Sequence, residues 1–513
     1  MALFDLNVML GPPSTGVENS FAGAADLLRE MDRYRIGQAL VYSSHARFGH
    51  PVEGNRRLLE DLERHRERLF PCWVGLPAAT DGMPGPEELV RQMRAHGVKA
   101  LRLIPGQHLF PVSRRVLGPL LAVMQAHRFP VILDLDRTHW SQLSPWDALF
   151  EICEAYPRLP IVLLREGGAT TRALYPLWAV HPNLLLETSY LQSAECLEEI
   201  GERFGPSRIL FGSGMPQYDP GGAIATVQGS KLTSEQRAEV AGNNARRLLG
   251  IEVSATSMPA AWPVGPGGFR VWDAHAHLGP WHRLHYPVHD AAGTVRRMDQ
   301  IGVERITLSD MSCIENDPEA GHERLRRAIA EHPGRIYGYA VFSPSYHADA
   351  PQEFERLLDQ PGMVGIKVHC GTHATPAESP LYRRAYELAH ERRLPVLVHG
   401  SPAVPFLDHL LRELPNMTWV AAHYAAGPPE GIAPYIALAN ELPNLVLDAT
   451  GSGMERGAFD RLLAQMPVQQ IVAGSDFPIM DLPYQLGRVL HCRASDTVKQ
   501  QILWDNSARL FEK

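Results

Sequence analysis

The chain has 513 residues, a formal net charge of −8 and 21% charged residues. This length exceeds the size at which one hydrophobic core stops growing, so we expect two domains. The mild acidity, without a basic run, argues against a nucleic-acid or membrane-surface partner. No apolar stretch reaches the roughly 20 residues of a membrane span, no signal peptide opens the sequence, and six scattered cysteines are typical of reduced thiols. We therefore predict a cytoplasmic protein.

Both halves alternate short Val/Ile/Leu-rich runs with amphipathic segments, which is the pattern of a parallel sheet with crossover helices. In the first half the runs begin at Ala2, Ala39, Leu69, Lys99, Pro130, Pro160, Leu184 and Arg208. Residues 253–268 break every periodicity with Pro, Gly and small residues, and are predicted to be a linker. In the second half the runs begin at Arg270, Arg305, Arg335, Val364, Pro395, Thr418, Leu445 and Gln470. The sequence predicts an α/β protein with two tandem (β/α)8 barrels, residues 1–252 and 269–513.

The halves also correspond in their local sequences. Residues 182–187 (PNLLLE) match 443–448 (PNLVLD), and residues 210–216 (LFGSGMP) match 472–478 (VAGSDFP). The order of such matches indicates a tandem duplication. The correspondence sets Asn7, Met9, Asp134, Arg165 and Gly214 of the first half against His275, His277, His399, His423 and Asp476 of the second.

In the second half, ionisable side chains close the ends of four apolar strands. His275 and His277 are two residues apart on the first strand and so face the same side. His399, His423 and Asp476 end the fifth, sixth and eighth strands, and strand ends meet at the face of a barrel that carries active sites. Buried groups of this kind need a metal or a hydrogen-bond network. One such histidine is more often a satisfied core residue, but the whole set favours a metal site.

At these residues the sequence resembles the amidohydrolase superfamily, in particular the branch of aminocarboxymuconate-semialdehyde decarboxylase. Residues 271–279 (VWDAHAHLG) are similar to its Asp-x-His-x-His opening, and residues 474–478 (GSDFP) to its closing motif. Residues 395–400 and 419–427 are similar to its fifth-strand and sixth-strand segments. The resemblance spans the second half and, without the ligands, the first. It implies that the metal ligands are His275, His277, His399 and Asp476, and that His423 does catalytic work beside the metal.

Three histidines and a carboxylate suit Zn²⁺, with Mn²⁺ or Fe²⁺ as alternatives. Asp476 would accept a proton from metal-activated water, and His423 would polarise the substrate or protonate the leaving atom. We expect a metal-dependent hydrolase that cleaves an amide, lactone or related bond in a small carboxylate-bearing molecule. A non-oxidative decarboxylase of a small aromatic or unsaturated acid is the alternative, and a non-catalytic binding or regulatory protein is a second.

Two residues of the fourth strand have open interpretations. Binuclear members of the superfamily bridge two metals with a carboxylated lysine there, which would make Lys367 a ligand. The corresponding residue of the first half is Arg102, which cannot be carboxylated. We therefore favour binding of a substrate carboxylate by Lys367 or by His369, which shares its face. The alternative for His369 is a hydrogen bond to a metal ligand.

The first half lacks each proposed ligand and is predicted to be a pseudo-enzyme. Asp134 and Arg165 are expected to pair across its vacated pocket. Some relatives complete their active sites with an arginine from a neighbouring subunit, so the resemblance implies an intrachain pseudo-dimer, with further homo-oligomerisation left open. Arg165 or Arg172 would then reach the active site.

Overall fold

A computed structural model describes residues 3–12, 20–80, 82–137, 142–253, 262, 268–349, 351–423 and 429–512. The chain divides into two compact units, Met1–Gln192 with Cys196–Ala261, and Ser193–Glu195 with Trp262–Lys513. Most of the predicted linker, residues 253–268, lies outside the described residues, so its role stays a prediction. Among the described residues, no helix has the length and apolarity needed to cross a membrane.

The first unit is an eight-stranded parallel sheet in which each strand pairs with the next in sequence. Its strands are β1 Leu3–Leu10, β2 Ile36–Ser43, β3 Leu69–Gly75, β4 Ala100–Leu103, β5 Val131–Leu133, β6 Ile161–Leu163, β7 Leu184–Glu187 and β8 Ile209–Leu210. Its α-helices are Ala24–Arg33, Ser44–Phe48, Pro51–Leu62, Pro86–Ala95, Arg114–Ala126, Trp146–Ala155, Thr171–Val180, Cys196–Phe204, Pro220–Gln228, Ser234–Ala238 and Asn244–Leu248. The backbone N–H of Leu6 donates to the carbonyl of Phe211 at 2.9 Å, which joins β1 to the segment after β8.

The second unit repeats this order. Its strands are β9 Trp272–Leu278, β10 Arg305–Asp310, β11 Ile336–Val341, β12 Met363–His369, β13 Pro395–His399, β14 Thr418–Ala421, β15 Leu445–Asp448 and β16 Ile471–Val472. Its α-helices are Ala291–Ile301, Met311–Glu315, Pro318–Glu331, Pro344–His347, Pro351–Leu358, Arg383–Arg392, Val404–Glu413, Pro429–Glu441, Ala458–Gln465, Leu482–His491, Asp496–Gln500 and Asn506–Phe511. The N–H of Ala274 donates to the carbonyl of Ala473 at 2.9 Å and closes this barrel. Two tandem (β/α)8 barrels are therefore confirmed.

Each barrel has an inner and an outer core, because the strands bury both of their faces. In the second barrel Trp272, Leu397 and Val420 belong to one buried cluster that fills the barrel. Their neighbours of opposite parity, such as Val398 and Ala421, pack with the surrounding helices. This double burial explains why the strands are continuous apolar runs in the sequence.

The first strand of each barrel carries the same β-bulge. The register against the next strand shifts between Asp5 and Val8 in β1, and at the corresponding place after Asp273 in β9. Asp5 Oδ1 accepts the N–H two residues on, from Asn7, at 3.0 Å, and Asp273 Oδ1 accepts that of His275 at 3.1 Å. Such a bulge re-aims the side chains that follow it. In β9 the bulge lies between Asp273 and Ala276 and so includes His275.

Candidate metal centre

Asp273 holds the bulge in β9 and joins this strand to the segment that follows β16. Besides His275, Asp273 Oδ1 accepts the N–H of Ser475 at 3.0 Å, and the Ser475 hydroxyl donates to Oδ2. Burial raises the pKa of Asp273 to about 7, against the lowering by these hydrogen bonds. These hydrogen bonds of Asp273 fix the position of β9 relative to the segment that carries Asp476.

Two of the predicted site residues occupy a left-handed backbone conformation. His423 lies two residues after the end of β14 and has φ 66°, and Asp476 lies four residues after the end of β16 and has φ 63°. Side chains other than glycine rarely adopt this region. In the first barrel Arg165 has φ 60° and Gly214 has φ 72° at the corresponding positions. Both barrels therefore share this backbone conformation. They differ in that the second barrel has a carboxylate, Asp476, where the first has glycine.

The structure brings His275, His277, His423 and Asp476 together. Asp476 Oδ1 lies 2.8 Å from His277 Nε2 and 3.6 Å from His275 Nε2. One ligand atom each from His275, His423 and Asp476 lies within 4.8 Å of the others, and these three residues form the group that can hold a metal ion among the described residues.

Both β9 histidines are supported on their outer nitrogen. Asp448 Oδ2 lies 2.5 Å from His275 Nδ1, and Ser309 Oγ lies 3.0 Å from His277 Nδ1. Each imidazole therefore presents Nε2 to the site, which is the arrangement found around metal-bound histidines. Ser309 was not identified from the sequence, although it is the register partner of His277 on the neighbouring strand β10.

His399 lies beside this group rather than within it. Its ring centroid is 4.6 Å from that of His423 and 4.1 Å from that of His369, its register partner in β12. The interpretation of His399 as a ligand thus stays a prediction. His369 Nδ1 accepts the N–H of Thr372 at 3.2 Å, so its proton is on Nε2.

Lys367 is buried at the centre of the site. Its Nζ lies 3.3 Å from His275 Nε2. Burial lowers the pKa of Lys367 to about 8, against the opposing effect of Asp476 and Asp448. In the first barrel Arg102 makes the corresponding contact, donating from Nη1 to Asn7 Oδ1 at 2.9 Å. Lys367 is therefore within reach of a group bound at the histidines.

The electrostatics keep His275, His369 and His399 neutral and the carboxylate of Asp476 charged. Burial, followed by neighbouring positive groups, lowers the pKa of His275, His369 and His399 well below the usual value. Burial alone would raise the pKa of Asp476, but the hydrogen bond from His277 and the charge of His423 outweigh it and lower that pKa. Neutral imidazole nitrogens and an ionised carboxylate are the forms that bind metal. The residues present fit a divalent cation.

The first barrel fills the corresponding pocket with an ion network. Asp134 is fully buried and accepts hydrogen bonds from Arg47 at 2.9 Å, from Arg102 and from Arg165. Arg47 and Arg165 also contact Asp136. Burial would raise the pKa of Asp134, but the three guanidinium groups together hold it well below its usual value. The predicted pairing of Asp134 with Arg165 is confirmed, and two further arginines join it.

Arg172 is an exposed residue of the helix Thr171–Val180 in the first unit. The expectation that it reaches the active site stays a prediction.

Two (β/α)8 barrels, one with histidines and a carboxylate gathered at its strand ends, define a class of metal-dependent barrel enzymes. The chain belongs to the amidohydrolase family, whose sequence model, described as Amidohydrolase, matches residues 18–251 and again residues 272–513. Members of this superfamily are metal-dependent enzymes that act on small molecules. A search of curated proteins found no match to the chain.

Solved structures similar to this chain include 5-carboxyvanillate decarboxylase from Sphingomonas paucimobilis, at 14% identity and a TM-score of 0.39, covering 48% of this chain and 99% of the other. Another is 2,6-dihydroxybenzoate decarboxylase from Rhizobium, at 16% identity and a TM-score of 0.38, with coverages of 48% and 99%. A third is 5-carboxyvanillate decarboxylase from Novosphingobium aromaticivorans in complex with manganese, at 11% identity and a TM-score of 0.40, with coverages of 49% and 99%.

Proposed function

We propose that the second barrel is a metal-dependent hydrolase that cleaves an amide, lactone or related bond in a small molecule bearing a carboxylate. The observation that carries the proposal is the convergence of His275 and His277 on Asp476, whose Oδ1 lies 3.6 Å and 2.8 Å from their Nε2 atoms. A ring nitrogen of His423 lies within 4.8 Å of ligand atoms of His275 and Asp476, so this ring is close enough to act on a substrate bound beside the metal. His399 is proposed to complete the set.

A bound Zn²⁺, with Mn²⁺ or Fe²⁺ as alternatives, would supply Lewis acidity and lower the pKa of water. The carboxylate of Asp476 is ionised and so can accept the proton that water loses when it attacks the substrate. The imidazole of His423, beside His275 at 5.0 Å between ring centroids, would polarise the substrate carbonyl or protonate the leaving atom.

The substrate carboxylate is assigned to the fourth strand. Lys367 offers a cationic or neutral amine 3.3 Å from His275 Nε2, and His369 offers an Nε2–H donor because Thr372 occupies its Nδ1. Both would hold the carboxylate by hydrogen bonds that fix the scissile bond near Asp476. The first barrel, with Asp134 saturated by three arginines, is proposed to be a non-catalytic pseudo-enzyme that forms an intrachain pair with the second.

Metal analysis of the purified full chain, expressed with added Zn²⁺ or Mn²⁺, tests the proposal first. We expect about one equivalent or more per chain, lost in His275→Ala and retained in the matched first-barrel variants Asn7→Ala and Met9→Ala. A chain without metal would refute an enzymatic role and leave a binding protein. Lactones, amides and aromatic carboxylic acids should then be screened with CO₂ detection. Release of CO₂ without hydrolysis would replace the hydrolase by the decarboxylase.

A further inference from the structure

Asp448, at the end of β15, joins three segments of the second barrel through one carboxylate. Its Oδ2 lies 2.5 Å from His275 Nδ1 on β9. Its Oδ1 accepts the backbone N–H of His423 at 2.9 Å, after β14, and that of Thr450 at 3.0 Å, after β15 itself. The side chain is fully buried. One carboxylate thus contacts the ring of one site histidine and the backbone of another.

The first barrel separates the architectural part of this arrangement from the rest. Glu187 occupies the corresponding position and is also fully buried. It accepts the N–H of Arg165 at 3.2 Å and the N–H of Ser189 at 2.8 Å, which are the counterparts of the two backbone bonds of Asp448. The Ser189 hydroxyl also donates to Glu187, whereas position 7 provides an asparagine that bonds to Arg102. The two hydrogen bonds to backbone N–H groups are therefore present in a barrel without the proposed metal ligands, whereas the contact to an imidazole is not.

The contact to the ring decides which nitrogen of His275 carries its proton. An imidazole binds a metal in its neutral form, which has a single N–H. A carboxylate can only accept, so that proton is on Nδ1. The lone pair of Nε2 then faces Asp476 Oδ1, 3.6 Å away. The opposite tautomer would place a proton where a metal ligand needs a lone pair.

We propose that Asp448 is a positioning residue of the metal centre: it selects the Nδ1–H tautomer of His275 and holds the His423 backbone beside it. This inference rests on the proposed function, since the metal gives the tautomer its purpose. The backbone N–H groups of Thr450 and His423 need only an acceptor at position 448, so the oxygen of an amide side chain could replace the carboxylate for these two bonds. The second polar atom of that amide is an NH₂ group, which donates. It therefore could not accept the proton of His275 while the amide oxygen keeps the two backbone bonds.

Asp448→Asn in the full chain tests this directly. Its amide oxygen can keep the two backbone bonds while its NH₂ donates to His275 Nδ1, which reverses the tautomer. We expect the affinity of the apoprotein for Zn²⁺ to fall by roughly 10- to 100-fold, the range seen when such supporting partners are lost. Nitrogen-15 spectra of the histidine-labelled apoprotein, with His275 assigned by its absence in His275→Gln, should show the proton moving from Nδ1 to Nε2.

Two further variants keep the test sharp. Asp448→Glu restores a carboxylate acceptor, and Glu187 shows that this residue type is compatible with the backbone bonds. We expect it to return the proton to Nδ1 and to recover most of the Zn²⁺ affinity. Glu187→Gln, the matched change in the first barrel, should leave Zn²⁺ affinity unchanged within about twofold, even if it lowers thermal stability.

The outcomes are distinguishable from a failure of the proposed function. If the wild type binds no Zn²⁺, the proposed function is refuted, but the tautomer in the apoprotein still reports on Asp448. If His275 keeps Nδ1–H in Asp448→Asn, or if that variant binds Zn²⁺ as tightly as the wild type, the positioning role is wrong. If Asp448→Asn does not fold, Asp448→Glu provides the test. A His275 proton on Nε2 in Asp448→Glu but on Nδ1 in the wild type would overturn the inference.

Discussion

Asp134 should contribute strongly to the stability of the first barrel. It is fully buried and accepts from three arginines, Arg47, Arg102 and Arg165, each with a side chain at most 5% exposed. Asp134→Asn removes the negative charge and leaves three buried guanidinium groups around a neutral amide. Breaking a buried ion pair by removing one partner costs about 3–5 kcal/mol, because the remaining charge is uncompensated.

For a barrel of this size, 1 kcal/mol corresponds to a shift of about 2–4 °C in the unfolding midpoint. Scanning calorimetry of the full chain should therefore show the transition of the first barrel lowered by roughly 6–20 °C. Any metal bound by the full chain should be retained, because the proposed ligands all lie in the second unit.

Asp136→Asn is the matched control. Asp136 contacts two of the same arginines, but its side chain is 22% exposed, so water can screen the charges that it leaves. We expect a loss below about 1 kcal/mol. If Asp134→Asn and Asp136→Asn lower the midpoint equally, the buried network does not stabilise this barrel as its geometry indicates.

Three further predictions concern single side chains. Burial raises the pKa of Asp5 to about 6 from 3.8, so the folded chain holds a proton that the unfolded chain loses. The contribution of Asp5 to the free energy of unfolding therefore falls as the pH rises from about 4 to about 7. Asp5→Asn should remove up to about 3 kcal/mol of that fall, seen as a flatter pH profile of the unfolding midpoint. His423→Asn should keep the metal and lower turnover by roughly 10²-fold, whereas loss of metal at unchanged activity per metal would make His423 a ligand. Gly474→Ala would place a methyl 2.8 Å from His275 Cβ and 2.6 Å from Thr450 Oγ1, so it should weaken metal binding, while Gly453→Ala, with nothing within 4 Å, should not.

The barrel architecture could be predicted because parallel strands buried on both faces leave a strong sequence signal. Most strands begin within one residue of the predicted positions; β2 is an exception, beginning at Ile36 rather than Ala39. The polar Gln38 interrupts the apolar run there, so the sequence pattern places the start of that strand too late. The bulges after Asp5 and Asp273 could not be predicted, because an extra residue in a strand depends on pairing with its neighbour.

The site could be predicted only in part. The positions of His275, His277 and Asp476 follow from strand ends and spacing, and the structure brings them together. The distances that decide between ligand and neighbour, such as the position of His399 beside His369, depend on side-chain orientation, which the sequence does not determine. The partners on the outer nitrogens, Asp448 and Ser309, are set by cross-strand packing.

Position 476 shows where metal chemistry and backbone stability oppose each other. Asp476 has φ 63°, a conformation that disfavours side chains, and the first barrel has Gly214 at φ 72° in its place. Asp476→Gly and Asp476→Ala both remove the carboxylate, so both should abolish metal binding, and they differ only in backbone strain. The glycine variant should be more stable than the alanine variant by about 1 kcal/mol, measured by denaturant unfolding. At Ala473, which has no positive φ, Ala473→Gly should instead lower stability. If Asp476→Ala is as stable as Asp476→Gly, the left-handed backbone at this strand end carries no strain, and the substitution of glycine in the first barrel has another origin.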